Sequence, residues 1–144
     1  MTEPRRPERK LPDWMADHLR RYLETNGKDG HLWNGVPTLL LTTTGRRSGK
    51  PQVLPLIYGE DGGRYVVVAS KGGAPDHPLW YQNLVAQPAV QVQVAADRFA
   101  ARARTASASE RPALWNTMTK IWPAYDDYQT KTSREIPVVI LERT

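Results

Sequence analysis

A turn with the sequence GRRSGK occupies positions 45–50 and places three cationic side chains around two glycines. Its spacing differs from the phosphate-binding P-loop, GxxxxGK[ST], because only three residues separate Gly45 from Gly49 and Pro51 stands where Ser or Thr is needed. Three cations and exposed backbone N–H groups can nevertheless attract an anion. The turn is therefore a candidate anion site, and a solvated turn rich in basic residues is the alternative.

A second glycine-bearing segment, SKGGA at positions 70–74, follows a strongly apolar run. The residues Asp76, His77 and Pro78 then predict a helix start, with proline in the first turn. Glycines let the backbone approach a phosphate closely, and a helix N-terminus carries about half a positive charge. Lys71 adds a full charge. Phosphate binding is one interpretation, and an ordinary strand-to-helix connection with a surface lysine is the other.

Two further segments pair residues that lie three positions apart and so share a helix face. Trp80 and Asn83 could line a planar cofactor, or Trp80 could simply belong to the core. Tyr125 and Tyr128, close to Trp122, could stack on a substrate and supply a hydrogen bond or a proton. A cluster at a rim or an interface is the alternative for the tyrosines.

Several kinds of chemistry lack the residues that they need. The chain has no cysteine, and His18, His31 and His77 are far apart in sequence, so neither a disulfide nor a metal site is expected. No GxSxG motif, no GxGxxG after a strand and no marked carboxylate pair is present. This pattern is typical of an enzyme whose cofactor performs the difficult chemistry.

Length and charge set the broad class. The 144 residues suffice for one domain with a single core, and the net charge of +5 favours an anionic partner without choosing one. The longest apolar runs, residues 65–69 and 138–141, are strand-sized and far below the roughly 20 residues of a membrane span. Residues 1–10 are polar and contain no signal-peptide core, so a cytoplasmic protein is expected.

The elements that position these residues follow from hydrophobic periodicity. Helices are predicted at residues 12–25, 78–86, 107–121 and 125–131, the third opened by a capping box of Ser107 and Glu110. Strands are predicted at 38–43, 52–58, 64–69, 90–94, 99–105 and 137–142. Hairpins come first and helices separate the later strands, which favours a small, mostly antiparallel barrel with peripheral helices over a Rossmann sheet.

Five segments together resemble the deazaflavin-dependent nitroreductase family, the branch of the split-barrel flavin and deazaflavin oxidoreductases that uses coenzyme F420. They lie in order between residues 36 and 142, and the set is far more specific than any one of them. The segments are LLTTTGRRSG (40–49), ASKGGA (69–74), HPLWYQNL (77–84), YDDYQ (125–129) and REIPV (134–138).

This resemblance implies a mostly β fold with peripheral helices, an FMN-binding split-barrel-like β-barrel of about six strands. The deazaflavin ring would lie in a groove between the barrel and the helices. The predicted organisation is a flexible basic tail (1–10), an N-terminal amphipathic helix and loop (11–35), and a split-barrel deazaflavin-binding domain (36–144).

The resemblance also implies roles for individual residues. The first turn would meet the coenzyme's phosphate and polyglutamate tail, the second would lie along its ring and ribityl chain, and the remaining residues would hold the ring. The coenzyme-binding residues are Arg47, Ser48, Gly49, Lys50, Pro55, Leu56, Ser70, Lys71, Gly72, Gly73, Trp80 and Asn83. By the same resemblance, Tyr125, Tyr128 and Ser70 would be the catalytic residues, and Trp122, Tyr125 and Tyr128 would contact the substrate.

Two positions depart from the family pattern. Gln52 stands where members often carry arginine, and Lys50 is expected to replace that cation because residues two apart in an extended chain share a face, about 6.5 Å along. Trp122 stands where nitroimidazole-reducing members have a further tyrosine. Reduction of bulky nitroimidazoles is therefore left open, whereas reduction of quinones or enones is expected.

The function implied is hydride transfer from reduced F420 to an electrophilic small molecule, namely a quinone, an enone or a nitro compound. The alternatives are an FMN-binding split-barrel protein, a non-catalytic coenzyme-binding protein and, less favoured, a nucleic-acid-binding small barrel. No nucleic-acid partner is expected, and the oligomeric state is left open. The N-terminal helix either caps the barrel or makes peripheral contact with the inner face of the membrane.

Overall fold

Eight antiparallel strands form one curled sheet in the computed structural model, which describes residues 11–144. The predicted basic tail, residues 1–10, lies outside the described residues. The strands are β1 (Leu32–Trp33), β2 (Val36–Thr44), β3 (Pro51–Ile57), β4 (Gly59–Asp61), β5 (Arg64–Val68), β6 (Ala89–Val94), β7 (Asp97–Thr105) and β8 (Val138–Arg143). The helices are α1 (Asp13–Thr25), α2 (Leu79–Ala86), α3 (Arg111–Ile121) and α4 (Ala124–Thr130).

Hydrogen-bonded neighbours in the sheet follow the order β3-β2-β6-β7-β8-β5-β4, and the short β1 pairs with the start of β2. The mostly β split barrel predicted from the sequence is confirmed. Two strands more than the predicted six are present, because β1 and β4 are too short to show a period of two. Gly62 and Gly63 have φ angles of 57° and 83°, which suits them to the tight turn joining β4 to β5.

Two hydrophobic clusters pack on opposite faces of the sheet. Alternate residues of β8 divide between them, with Val139 and Leu141 in the inner cluster and Val138 and Ile140 in the outer one. The inner cluster fills the barrel, and the outer cluster packs against α3 and α4, with Leu114, Met118 and Tyr125 buried in it. A strand buried on both faces is continuously apolar, which explains the apolar runs seen in the sequence.

The N-terminal helix packs against the barrel through Tyr22, which is fully buried. Its hydroxyl donates to the carbonyl oxygen of Thr38 at 3.0 Å and accepts from the backbone N–H of Ala95 at 2.7 Å. Met15 packs against the inner cluster. The α1 helix therefore caps the barrel. None of the helices described between residues 11 and 144 is long and apolar enough to cross a bilayer.

The predicted capping box forms before α3. The Ser107 N–H donates to Glu110 Oε1 at 2.9 Å, and the Glu110 N–H donates to Ser107 Oγ at 3.3 Å. Arg104 donates from both terminal nitrogens to the Glu110 carboxylate, at 2.8 and 2.9 Å. These hydrogen bonds, first that from Arg104, lower the pKa of Glu110 to about 2.

Acid is expected to remove the stabilisation that Glu110 provides. Because the pKa of Glu110 is about 2 in the folded chain and 4.5 ordinarily, its contribution is complete above pH 4.5 and is lost as the pH falls towards about 2. The urea midpoint of Glu110→Gln should therefore lie below that of the unsubstituted protein at pH 7, and the two should converge near the acid end. Glu135→Gln, at a site 76% exposed, is the control. A gap that stays constant with pH would contradict this assignment.

Candidate functional site

A cavity of about 330 Å³ lies where α1, β3, the segment after β5 and α4 meet. Residues from each of these elements line it, together with the start of α2. The predicted site residues among them are Pro55, Leu56, Ser70, Lys71, Gly72, Trp80, Trp122, Tyr125 and Tyr128. Both predicted substrate contacts and predicted coenzyme contacts thus reach one cavity. Among residues 11–144, no three His, Asp or Glu side chains are grouped as metal ligands would be.

The segment 70–74 has an unusual backbone. Ser70 is right-handed (φ −78°, ψ −40°), and the next three residues have positive φ angles of 47°, 63° and 85°. The first of these is Lys71, and a non-glycine residue with positive φ is uncommon and often functional. A right-handed residue followed by a left-handed one turns successive N–H groups towards one side, which forms a concave site for an anion.

Arg134 holds this segment in place. Its guanidinium donates to the carbonyl oxygens of Ser70 at 2.7 Å, Ala74 at 2.9 Å and Ala69 at 3.2 Å. It also lies 3.0 Å from His77 Nδ1, and burial, together with the Arg134 charge, lowers the pKa of His77. Arg134 was not among the predicted site residues. The only signal in the sequence was its place in the REIPV segment.

Gly73 does not line the cavity, but its lack of a side chain brings the loop against α4. A Cβ atom at Gly73 would lie 2.6 Å from the carbonyl oxygen of Tyr128. Gln129 fixes the same helix from the other side, because its Oε1 accepts from the Ile136 N–H at 2.9 Å and its Nε2 donates to the Arg134 carbonyl at 2.8 Å. The cationic loop and the two tyrosines are therefore held as one unit.

The two tyrosines of α4 differ in their partners. Tyr128 OH lies 3.4 Å from Trp122 Nε1, whereas Tyr125 is 5% exposed and its hydroxyl has no hydrogen-bond partner within the described part of the chain. Their rings meet edge to face at 6.1 Å. Burial, with a smaller effect of Tyr128, raises the pKa of Tyr125 well above its ordinary value. The Tyr125 hydroxyl is therefore neutral near pH 7 and can donate to a ligand.

Asn83 and the first cationic turn form a separate structure beside the cavity. The Asn83 side chain is 1% exposed; it accepts from the Arg46 N–H at 3.1 Å and donates to Gln52 Oε1 at 3.2 Å. Arg46 also donates to Gln82 Oε1 at 2.8 Å, so α2 holds the turn. The residues predicted to bind the coenzyme that do not line the cavity are Arg47, Ser48, Gly49, Lys50, Gly73 and Asn83.

These contacts bear on three of the residues predicted to bind the coenzyme. Asn83 positions the first turn and does not touch the cavity, because its amide is used by the β2–β3 hairpin. Lys50 precedes β3, so the rule that alternate strand residues share a face does not extend from it to Gln52. Trp80, which is 4% exposed, belongs to the inner core and also lines the cavity, and its contact with a cofactor stays a prediction.

The N-terminal segment supplies a wall of the cavity that was not predicted. Trp14, Met15 and His18 line it from one face of α1, and Trp33 lines it from β1. These residues lie outside the segments that resemble the deazaflavin family. The spacing of Trp14, Met15 and His18 indicates only an amphipathic helix, and Trp33 falls in the predicted loop that follows it. Only the packing of α1 against the barrel brings them to the cavity.

Lys71 provides the formal positive charge at the cavity, and it forms an ion pair with Asp76. Its Nζ lies 3.3 Å from Asp76 Oδ2, an exposed pair whose hydrogen bond lowers the pKa of Asp76. Exposed ion pairs of this kind contribute little and exchange readily. An anionic ligand can therefore replace Asp76 as the partner of Lys71.

Comparison with known proteins places these features in a family. The model of the F420H(2)-dependent quinone reductase family matches residues 14–143. An F420H(2)-dependent quinone reductase of Mycobacterium tuberculosis is 42% identical over 130 residues, which cover 88% of this chain and 87% of that protein.

Two solved structures are also similar. A domain-swapped dimer, 42% identical, superposes with a TM-score of 0.71 and covers 90% of this chain and 98% of its own. The F420-H2 dependent reductase FDR-A is 46% identical, with a TM-score of 0.69, and covers 74% of this chain and 94% of its own. The similarity therefore includes both the sequence and the curled sheet that frames the cavity.

Proposed function

Because the chain belongs to the F420H(2)-dependent quinone reductase family, we propose that it is an oxidoreductase that transfers hydride from reduced coenzyme F420 to a quinone. One observation supports this most strongly: the loop that bears Lys71 and the tyrosines of α4 line the same cavity. A cationic loop suits an anionic coenzyme, and a buried hydroxyl without a partner suits a substrate carbonyl. A cationic loop and a buried hydroxyl are both needed where coenzyme and acceptor react.

The residues fit a deazaflavin coenzyme. Pro55, Leu56 and Trp80 offer apolar surface for a flat ring, and Lys71 and Gly72 offer backbone N–H groups and the Lys71 charge for the phosphate. The first turn, with Arg47, Ser48, Gly49 and Lys50, would receive the anionic tail farther from the cavity. Gly73 and Asn83 act as positioning residues in this proposal, holding the second and first turns respectively.

The coenzyme, when bound, supplies the hydride. The protein supplies alignment and a neutral hydrogen-bond donor. Tyr125 would donate to the acceptor's carbonyl oxygen, because burial keeps its phenol protonated. Ser70 would help to orient the acceptor, and Tyr128 or solvent would provide the proton that completes reduction. Trp122 would contact the acceptor ring beside Tyr128.

Three other functions give different experimental results. An FMN-binding protein would purify with flavin absorbance, and a non-catalytic carrier would bind F420 without turnover. Binding to single-stranded nucleic acid would need exposed aromatic residues alternating with basic ones, and no strand described here has that pattern. The cytoplasmic location and contact with a membrane surface stay predictions.

Anaerobic mixing of the protein with reduced F420 and a panel of quinones, enones and nitroaromatic compounds tests the proposal. We expect quinones to oxidise the coenzyme in a protein-dependent and saturable way. Binding of F420 without oxidation by any quinone would favour the carrier. Failure to bind F420 at all would remove the proposal.

Lys71→Ala is expected to weaken F420 binding about tenfold, because the hydrogen bond of a charged donor to the coenzyme would be lost. Raising the salt concentration should weaken binding to the unsubstituted protein in the same direction and to the variant less steeply. Fluorescence titration of F420 at low and high salt measures both effects. Asp76→Asn is the matched control, since it removes the partner of Lys71 and should leave affinity unchanged or improved. Equal salt dependence in both proteins would contradict a role for this charge.

A further inference from the structure

The His77 imidazole lies against a partner that can only donate hydrogen bonds. Arg134 Nη1 lies 3.0 Å from His77 Nδ1, and a guanidinium keeps its charge at ordinary pH and has no acceptor atom. The hydrogen bond between them therefore requires a lone pair on Nδ1. It selects the neutral imidazole, with its proton on Nε2, as the form of His77 that this structure accommodates.

The same guanidinium connects this imidazole to the glycine-bearing loop after β5. Arg134 Nη1 also donates to the Ala69 carbonyl at 3.2 Å, and the other two nitrogens donate to the carbonyls of Ser70 and Ala74. Among the four acceptors that the described part of the chain offers to Arg134, His77 Nδ1 is the one that can take up a proton near neutral pH. The placement of the guanidinium therefore depends on the ionisation of His77.

Charged and titratable groups reach the imidazole from three segments. Arg134 comes from the segment before β8, Asp76 precedes His77 in the chain and pairs with Lys71 at 3.3 Å, and the Tyr81 ring of α2 lies 4.9 Å from the imidazole between centroids. Burial, followed by the Arg134 charge, lowers the pKa of His77 from its ordinary 6.5, and the smaller effect of Asp76 opposes them. The hydrogen bond from Lys71 lowers the pKa of Asp76 from 3.8. Above pH 5 the protonation of His77 can therefore be followed without titration of this carboxylate.

We propose that His77 is a positioning residue for coenzyme binding: its neutral imidazole helps to place Arg134, and its protonation releases Arg134 from the loop that bears Ser70 and Lys71. A proton on Nδ1 would set donor against donor, and a cationic ring 3.0 Å from a guanidinium. The contact is thus present at neutral pH and is lost as the pH falls through the pKa of His77 in the folded chain, which lies below 6.5. This inference rests on the proposed use of F420 and makes the binding of that coenzyme dependent on a proton.

The direction of the pH dependence distinguishes this role from simple attraction between charges. Fluorescence titration should show that lowering the pH from 7.5 to 5 weakens F420 binding about threefold or more relative to His77→Asn, whose amide oxygen accepts a hydrogen bond but does not titrate. Because both proteins bind the same coenzyme, its own ionisation cancels in the ratio of the two dissociation constants. A protonated His77 that merely attracted the anionic coenzyme would tighten binding at pH 5. That result, or a ratio independent of pH, would overturn the proposal.

Two further variants separate the hydrogen bond from packing. His77→Phe keeps an aromatic ring beside Tyr81 but has no acceptor, so its affinity for F420 at pH 7.5 should fall about threefold or more, whereas His77→Asn should stay within about twofold of the unsubstituted protein. His31→Asn is the matched control, because His31 bonds to Tyr58 OH at 2.9 Å and does not line the cavity. It should keep the pH dependence of the unsubstituted protein. Full affinity in His77→Phe would show that the acceptor on His77 has no role.

A measurement without coenzyme separates this inference from the function on which it rests. In NMR titrations of the free protein, the imidazole resonance that disappears in His77→Asn reports the ionisation of His77, and the backbone amide resonances of residues 70–74 report the loop. The amides should shift with the same pKa as the imidazole in the unsubstituted protein and should not shift in His77→Asn. This result would support the role of His77 even if F420 did not bind. Amide resonances that do not follow the titration of His77 would overturn it even if quinone reduction were observed.

Discussion

Arg134→Ala is expected to weaken F420 binding by one to two orders of magnitude, the largest loss that we expect from any residue outside the cavity lining. The side chain donates to three carbonyl oxygens of the segment that carries Ser70 and Lys71. Hydrogen bonds from a charged donor contribute roughly 1.5–3 kcal/mol each, and without them the strained positive-φ backbone has little to hold it. Fluorescence titration of F420 measures the loss directly.

Two comparisons show whether the effect arises from positioning. Arg134→Lys keeps the charge but cannot reach three carbonyl groups with one ammonium, so it should recover only part of the affinity. Arg143→Ala removes a guanidinium that pairs with Asp97 at 2.5 Å and should bind F420 normally. At saturating F420 the kcat of Arg134→Ala should approach that of the unsubstituted protein. Unchanged affinity in a folded Arg134→Ala protein would refute the role of Arg134.

Tyr125→Phe is expected to lower kcat by about tenfold or more while leaving the affinity for F420 within twofold. The substitution removes a hydroxyl that is buried, neutral and without a partner in residues 11–144, and so retains the shape of the cavity. A hydrogen bond that strengthens as charge develops on the acceptor oxygen contributes to the rate far more than to ground-state binding. Steady-state kinetics with a quinone, together with F420 titration, separate the two effects.

The control for this substitution is Tyr81→Phe. Its hydroxyl bonds to Thr105 Oγ1 at 2.8 Å, and the residue does not line the cavity, so turnover should be unaffected. Because the pKa of Tyr125 is raised, its ionisation should produce no change in kcat between about pH 6 and pH 9. Equal losses of turnover and coenzyme affinity in Tyr125→Phe would show that the residue holds the coenzyme instead.

Much of the fold could be predicted because its signals are local. The apolar segments that form β5 and β8 can be recognised as strands from their own composition, without knowledge of the strands they pair with. The capping box of Ser107 and Glu110 lies within four residues. The weaker elements depend on distant pairing. Strand β1 has two residues and exists because Leu32 and Trp33 face Pro37 and Val36 across a turn. A strand of two residues is too short to show a period in its sequence.

The candidate site divides in the same way. The glycine-bearing loop after β5 and the tyrosine pair of α4 were predicted from segments of five or six residues, since residue type and spacing suffice to suggest an anion site and a shared helix face. Asn83 was predicted to bind the coenzyme, which stays a prediction, but its contacts with the first turn were not foreseen. Its amide bonds to the hairpin formed by β2 and β3, some forty residues earlier in the chain, which no local pattern reveals.

By itself, the sequence determined the type of sheet, the two cationic turns and the absence of thiol chemistry, because each depends on residues that are neighbours along the chain. Only the tertiary structure decided that Arg134 holds the loop after β5 and that Trp14 and Trp33 line the same cavity as the tyrosines. The physical reason is that these contacts join segments separated by sixty to one hundred residues, where burial and hydrogen bonding act between side chains whose proximity is created by folding alone.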